Sequence, residues 1–454
     1  MKREQSSKKY NRRKFIQNAV AGTSALTLGG TLQALSAKSY SRIMGSNEKV
    51  LVGMMGVNSR GLALASTFGV QPNCEIVTVS DVDTRAAEKC IATIEGLQKS
   101  KPKAVPDFRN ALASKDIDVL VIAAPDHWHA PAAILASKAG KHVYLEKPCS
   151  HNPNEGELIV AAAKKYKNVI QMGNQRRSWP NVVAAIQEVK TGAIGRPYFA
   201  KGWYCNNRDT IGTGKEVAVP SWLNYDLWQG PAPRRPYKDN MLHYNWHWFW
   251  NWGTGEALNN GTHMLDLMRW GLGVEFPTHV TSSGGRYRYK DDWETPDTQV
   301  INLQFANNTF ITWEGRSCNG RYVEGNSVGV AFYGENGCLV IEEGNSYKIY
   351  DLKNKLVKDV ANDLEINPLD RMNPSQALDS FHIQNFFDGI KKGSTLNSGI
   401  EGGHQSTLLA QLGNIALRSG GALQIDPSNG HIKNNLAATK LWSREYQQGW
   451  EPVI

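Results

Sequence analysis

The sequence predicts an α/β protein. A doubly wound parallel sheet comes first, and a second α/β domain with a large open, mainly antiparallel sheet follows. Three observations carry that expectation. Between about residues 48 and 150, short β-branched runs alternate with helical stretches. Between about 278 and 342, alternating runs follow one another with hairpin signals and no helix between them. The 454 residues are also enough for two full cores. The expected division is therefore 1–37, 48–150 and 151–454.

The first segment reads as an address. Residues 1–14 carry seven basic side chains against Glu4 alone, a local charge of +6 out of the formal +9, which leaves about +3 for the rest of the chain. With no basic stripe downstream, a nucleic-acid partner is not expected. Asn11-Arg12-Arg13-Lys14-Phe15-Ile16 precedes a weakly apolar stretch from Ala19 to Leu35, and Ala34 to Ala37 offers small residues for cleavage. That pattern predicts a twin-arginine signal and a periplasmic protein. The stretch is too interrupted by Gly and Thr for a stable membrane span. The six cysteines are scattered without Cys-x-x-Cys or metal spacing, so no metal site is expected and the thiols are read as mostly free.

The parallel domain starts with a strand over 49–55 that runs into Gly56-Val57-Asn58-Ser59-Arg60-Gly61 and a helix to about Phe68. A dinucleotide-binding turn needs glycine for the tight turn, for approach of the pyrophosphate and for helix packing. Gly56 and Gly61 satisfy the first and last requirement. Asn58 replaces the middle glycine and is expected to take the positive φ there. A second strand over 75–79 ends at Asp81, twenty residues past Gly61. A carboxylate there accepts hydrogen bonds from ribose hydroxyls and repels a 2′-phosphate, which favours NAD over NADP. Gly56, Asn58, Arg60, Gly61 and Asp81 are thus the expected cofactor-binding residues of this half.

Next come a helix over 84–98, a short helix over 107–114 and the run Ile117–Ile122, which breaks into Ala123-Ala124-Pro125-Asp126-His127-Trp128-His129. An alanine-rich helix and another β-branched run then stop at Glu146-Lys147-Pro148. Ligands of open α/β sheets sit beyond the carboxyl ends of the strands, where both polar clusters fall. Beyond 150 the pattern predicts helices at 155–166 and 181–191, strands at 197–204, 278–289, 298–305, 309–314, 327–333 and 338–342, and closing helices at 375–391 and 403–418. An open sheet with one free face suits packing against a second copy, as a homodimer or homotetramer.

The glycine loop, Ala124 to His129, Glu146-Lys147-Pro148, Met172-Gly173-Asn174-Gln175 and Trp252 to Trp270 together resemble the Gfo/Idh/MocA family, typified by glucose-fructose oxidoreductase and inositol dehydrogenase. The resemblance runs from about residue 48 to the end. It implies an N-terminal Rossmann domain and NAD(P)-dependent oxidation or reduction of a sugar or polyol. It further implies Lys147 as a proton-exchanging group, Glu146 on the nicotinamide ribose, and Pro125 and His129 along the cofactor's path. His263 takes the place of the family's acid–base histidine, one helical turn from Asn259, which stands where the family has Asp. Asn174, Arg177, Trp248, Trp250, Asn259 and His263 are the expected substrate contacts, with Arg176 and His247 as further candidates. The run Tyr244 to Trp252 holds four of the 14 tryptophans, whose faces suit sugar rings or, equally, a core or dimer contact.

Two functions compete. The first is an exported NAD-dependent dehydrogenase of a sugar, polyol or glycoside. The second is a glycosidase or lyase that keeps NAD tightly bound for transient oxidation and elimination, with no net redox change. A cofactor-bearing carbohydrate-binding protein without turnover is disfavoured by the presence of both Lys147 and His263.

Overall fold

The computed structural model describes residues 49–365 and 374–454. The export signal expected over 1–37 lies outside the described residues. The chain from Val50 onward alternates β1 (Val50–Met55), α1 (Arg60–Gly69), β2 (Cys74–Ser80), α2 (Thr84–Gln98), β3 (Lys103–Ala104), α3 (Phe108–Leu112), β4 (Val119–Ile122), α4 (Asp126–Lys138), β5 (His142–Leu145), α5 (Pro153–Tyr166) and β6 (Ile170–Met172). These six strands form one sheet in the order β3-β2-β1-β4-β5-β6, parallel throughout. The order reverses between β1 and β4, and a crevice opens there beyond the strand ends. Every residue of β4 and β5 is buried, as a sheet covered on both faces requires. The sheet runs past residue 150 to β6, so the boundary expected at 150 falls inside it.

The second sheet has ten strands in the order β14-β13-β12-β11-β7-β10-β9-β8-β15-β16. Its members are β7 (Pro197–Cys205), β8 (His279–Gly285), β9 (Thr298–Gln304), β10 (Phe310–Arg316), β11 (Val328–Gly334), β12 (Gly337–Ile341), β13 (Tyr347–Asp351), β14 (Leu356–Val360), β15 (Ala422–Ile425) and β16 (Ile432–Lys433). Only β7 and β10 pair parallel; all the other pairings are antiparallel. The expected hairpin turns are present, with Asn308 at φ 58° between β9 and β10. Helices α6 (Pro180–Lys190), α7 (Tyr225–Gln229), α8 (Gly255–Asn259), α9 (Gly261–Leu272), α10 (Gln376–Lys392), α11 (Ile400–Arg418) and α12 (Leu436–Thr439) complete the described chain. The residues that cover one face of this sheet, among them Met264, Met268, Leu408 and Leu412, form its core with Ile301, Trp313 and Phe332.

Two features position the site. Residues 206–254 leave the second sheet and return to the first: Thr84 N donates to Trp222 O (3.0 Å), Asn224 N to Val82 O (2.9 Å), and His243 Nε2 meets Asp83 Oδ2 at 2.8 Å. The helix expected to carry both Asn259 and His263 is two helices, α8 and α9, with the break at Asn260 (φ −114°, ψ −29°). All six cysteines are free thiols. Among the described residues no helix is long and apolar enough to cross a membrane.

Candidate functional site

The crevice at the strand ends is a cavity of about 500 Å³. Its wall takes Gly56, Asn58, Ser59 and Arg60 from the turn after β1, Asp81 from the end of β2, Pro125, Asp126 and His129 from the start of α4, and Glu146 and Lys147 from the end of β5. The opposite wall comes from the second domain: Tyr204, Trp228, His243, Tyr244, Trp246, His247, Asn259 and Asn260. The same cavity thus holds the cofactor-type residues and an aromatic wall.

The turn after β1 fits a dinucleotide. A Cβ on Gly56, which sits at φ 77°, would lie 2.6 Å from Ala124 N just beyond the neighbouring strand, and one on Gly61 would collide with the Gly56 carbonyl. Both positions therefore need glycine for the close approach of β1, β4 and α1. No side chain caps the N-terminus of α1, the end of a helix that favours a phosphate. The positive φ expected at Asn58 falls instead on Ser59 (46°), so Asn58 is not the residue that accommodates the turn. Asp81 accepts from Val57 N (2.7 Å) and Asp83 N (2.9 Å), which fixes the carboxylate to the glycine turn while it still faces the cavity. Burial outweighs those two bonds and raises its pKa above the ordinary value.

At the other end, Lys147 is half-buried, and its Nζ donates to Asn259 O (2.6 Å) and Oδ1 (3.3 Å). Burial lowers its pKa below that of an ordinary lysine, against the opposing pull of Glu146 and Asp126. Burial alone would raise Glu146, but Arg60 and Lys147 outweigh it and hold the carboxyl below its usual range. Arg60 bridges Glu146 (Nε to Oε1, 2.8 Å) and Asp379 of α10 (Nη1 to Oδ2, 2.6 Å). Removing one member of so buried a set leaves an uncompensated charge, which costs about 3–5 kcal/mol, so the arrangement holds Glu146 in one place. His129 lies between two carbonyls, Ala124 O at 2.7 Å and Pro148 O at 2.5 Å, and so ties the turn after β4 to the residue after Lys147. Asp126 accepts from Thr254 Oγ1 at 2.5 Å, a link across the two domains.

Several expected substrate contacts lie elsewhere. His263 is 1% exposed and is not on the cavity wall; its ring nitrogens have no partner among the described residues, and burial together with Lys147 and Arg176 holds it neutral. Asn259, the last residue of α8, lines the cavity, whereas His263, in the first turn of α9, does not. Asn174 is buried off the wall as well, its amide likewise without a partner there. Arg177 is off the wall too, forked onto Asp266 at 2.8 Å through both Nε and Nη2, and Arg176 is buried with its guanidinium 4.6 Å over Trp179. Trp248 stacks on Trp293 at 3.9 Å, and Trp250 lines a different cavity. In their place the wall has Tyr244 and Trp246, with His247 stacked on Trp246 at 3.6 Å and held neutral by burial at about 3. Residues 245–248 form a 3₁₀ turn, so neighbours three apart share a side.

Residues 50–174 match the sequence model of an oxidoreductase family's NAD-binding Rossmann fold, and residues 215–424 match that of the same family's C-terminal alpha/beta domain. A glycosyl hydrolase family 109 protein of Saccharopolyspora erythraea is 28% identical over 260 residues, which is 52% of this chain and 56% of that protein. An inositol 2-dehydrogenase of Rubrobacter xylanophilus is 30% identical over 185 residues, 40% of this chain and 52% of that protein. The chain thus spans little more than half the length of these relatives. A levoglucosan dehydrogenase solved with NADH and levoglucosan has a TM-score of 0.64 at 18% identity, covering 83% of this chain and 99% of its own. A UDP-N-acetylglucosamine 3-dehydrogenase from Acidithiobacillus ferrooxidans has a TM-score of 0.57 at 17% identity, covering 81% and 98%. At these identities the likeness is one of fold.

Proposed function

The chain belongs to the Gfo/Idh/MocA oxidoreductase family, with an NAD-binding Rossmann domain, and on that premise we propose that it oxidises or reduces a sugar, polyol or glycoside, with Lys147 handling the hydroxyl proton. The observation that carries this reading is one cavity holding the glycine turn, Asp81, Lys147 and the Tyr244–His247 wall. Bound NAD supplies a hydride acceptor or donor. In the order β2-β1-β4-β5, Asp81 and Lys147 stand three strands apart, roughly 14 Å at the usual strand spacing. Binding at one end and chemistry at the other are thereby separated along a single crevice.

Asp81 accepts ribose hydroxyls, and its charge opposes a 2′-phosphate. Glu146, fixed by Arg60, receives the second ribose. Lys147 Nζ, its proton affinity reduced by burial, takes a proton from the substrate hydroxyl in oxidation and returns it in reduction. Asn259 orients Lys147 and can accept from a neighbouring hydroxyl. Tyr244, Trp246 and His247 offer flat faces to the ring.

A second reading, cleavage of a glycoside with no net redox change, is favoured by the family 109 relatives. Export by the twin-arginine route belongs to either reading, and with no free NAD pool in the periplasm it goes with tight retention of the dinucleotide. A homodimer or homotetramer would use the outer face of the ten-stranded sheet, where Phe199 stacks between Phe310 and Tyr333. The test is to release and assay the dinucleotide of the purified protein, then to offer sugars and aryl glycosides. Absence of any NAD(H), bound or bindable, would sink both readings. Glycoside turnover without accumulating NADH selects the second, and NADH formed in step with product selects the first.

A further inference from the structure

Trp250, expected to face the substrate, faces instead a second cavity of about 530 Å³, which shares no lining residue with the first. This cavity is framed by the start of α5, the last turns of α11 and residues 440–445. Four cations line it, Arg235, Arg418, Lys440 and Arg444, against one carboxylate, Glu445. Arg235 is paired with Glu294 at 2.9 Å. Arg418 and Arg444 form no ion pair among the described residues. Arg418 lies 4.7 Å over the Trp250 ring, with Glu294 the carboxylate that acts on it. Arg444 donates from Nη2 to Asn251 O (3.0 Å), while its Nη1 is buried without a partner. The carboxylate that acts on Arg444, Glu155, is already engaged by Tyr446 Oη (2.9 Å) and His151 N (2.9 Å).

Two amides point the same way. Gln411 gives its Nε2 to Ser150 and leaves Oε1 buried and unbonded; Asn152 leaves Nδ2 buried and unbonded. A buried donor and acceptor left open cost about 1–3 kcal/mol each unless something meets them. Guanidinium groups suit oxyanions, and an amide donor beside an amide acceptor suits hydroxyls. Burial and both arginines keep His151 neutral, so it adds no charge of its own.

We propose that this cavity is a second ligand site, for a small carbohydrate bearing a carboxylate, sulfate or phosphate, with Arg418 and Arg444 holding the oxyanion and Asn152 and Gln411 the hydroxyls. Trp250, under Arg418, forms the floor. The site is independent of the redox reading.

Calorimetry on the full-length protein saturated with NADH tests it, using glucuronate, glucose 6-phosphate, glucose and inorganic sulfate as probes. An anionic sugar should bind saturably at one site, glucose should not, and Arg418→Gln and Arg444→Gln should each weaken binding at least tenfold. Arg444→Lys should retain part of the affinity, and Trp246→Ala, in the first cavity, all of it. Unchanged NADH affinity in the variants shows that they are folded. The proposal is overturned if neither anionic sugar binds at millimolar concentration, if the arginine variants bind as the parent does, or if sulfate binds as tightly as the sugars.

Discussion

At the end of β5 the fold brings Lys147 to the cavity wall; in α9 it holds His263 away from it. Both were read from short motifs, and both are basic groups lodged in largely buried surroundings. What separates them is the kind of element that carries them. A parallel strand buried on both faces can end only at the sheet's carboxyl edge, so the residue after it must emerge there. A residue four along a helix shares a face with its partner only while the helix continues. Between Asn259 and His263 it does not run on unbroken: α8 ends at Asn259 and α9 begins at Gly261. Strand ends are therefore safer guides to a site in this chain than helical spacing.

Replacing the two residues tests the contrast directly. Lys147→Ala should lower kcat by about 10²–10⁴, the usual worth of a positioned proton-transfer group, with NADH affinity retained. Since burial lowers the Lys147 pKa, kcat/KM for alcohol oxidation should rise with pH as the amine loses its proton, with a midpoint below the ordinary lysine value of about 10.4. That limb should vanish in Lys147→Ala; an unchanged pH profile would remove the lysine from the proton path. His263→Gln should cost less than tenfold in kcat. A loss matching that of Lys147→Ala would show that His263 reaches the reacting atoms, and that α9 moves to bring it there.

Most of the parallel sheet was legible because its strands are short, buried on both faces and punctuated by polar stops. The centre of the second sheet, β7 to β12, was legible from alternation and turns. Its edges were not. In β14 four of five residues are exposed, including Leu356 and Val357, and β16 has only two residues, so neither carries a one-sided pattern. On the cavity wall, Gly56, Asp81, Pro125, Glu146 and Lys147 were readable because each follows the end of a strand. Asn174 and Arg177 lie off that wall: polar residues in a turn look like ligand contacts, whereas here one is enclosed and the other is spent on Asp266. The role of His243 against Asp83 depends on the return of residues 206–254 to the first domain, a contact 160 residues apart that no local pattern encodes.

The aromatic run yields the smallest but sharpest contrast. Trp246 and Trp250 are four residues apart and chemically identical, yet one lines the first cavity and the other the second. Losing a stacking face exposed to a sugar ring costs about 0.5–1.5 kcal/mol beyond area burial, so Trp246→Ala should raise KM roughly threefold to tenfold with kcat little changed. Trp250→Ala should leave KM for the same substrate unaltered, because Trp250 lines a cavity that shares no residue with the one holding Lys147. Steady-state kinetics on the two variants decide the matter. A KM effect from Trp250 equal to that from Trp246 would mean that one ligand spans both cavities. The wall between them would then have to open, through the Asp126–Thr254 contact that now joins the two domains.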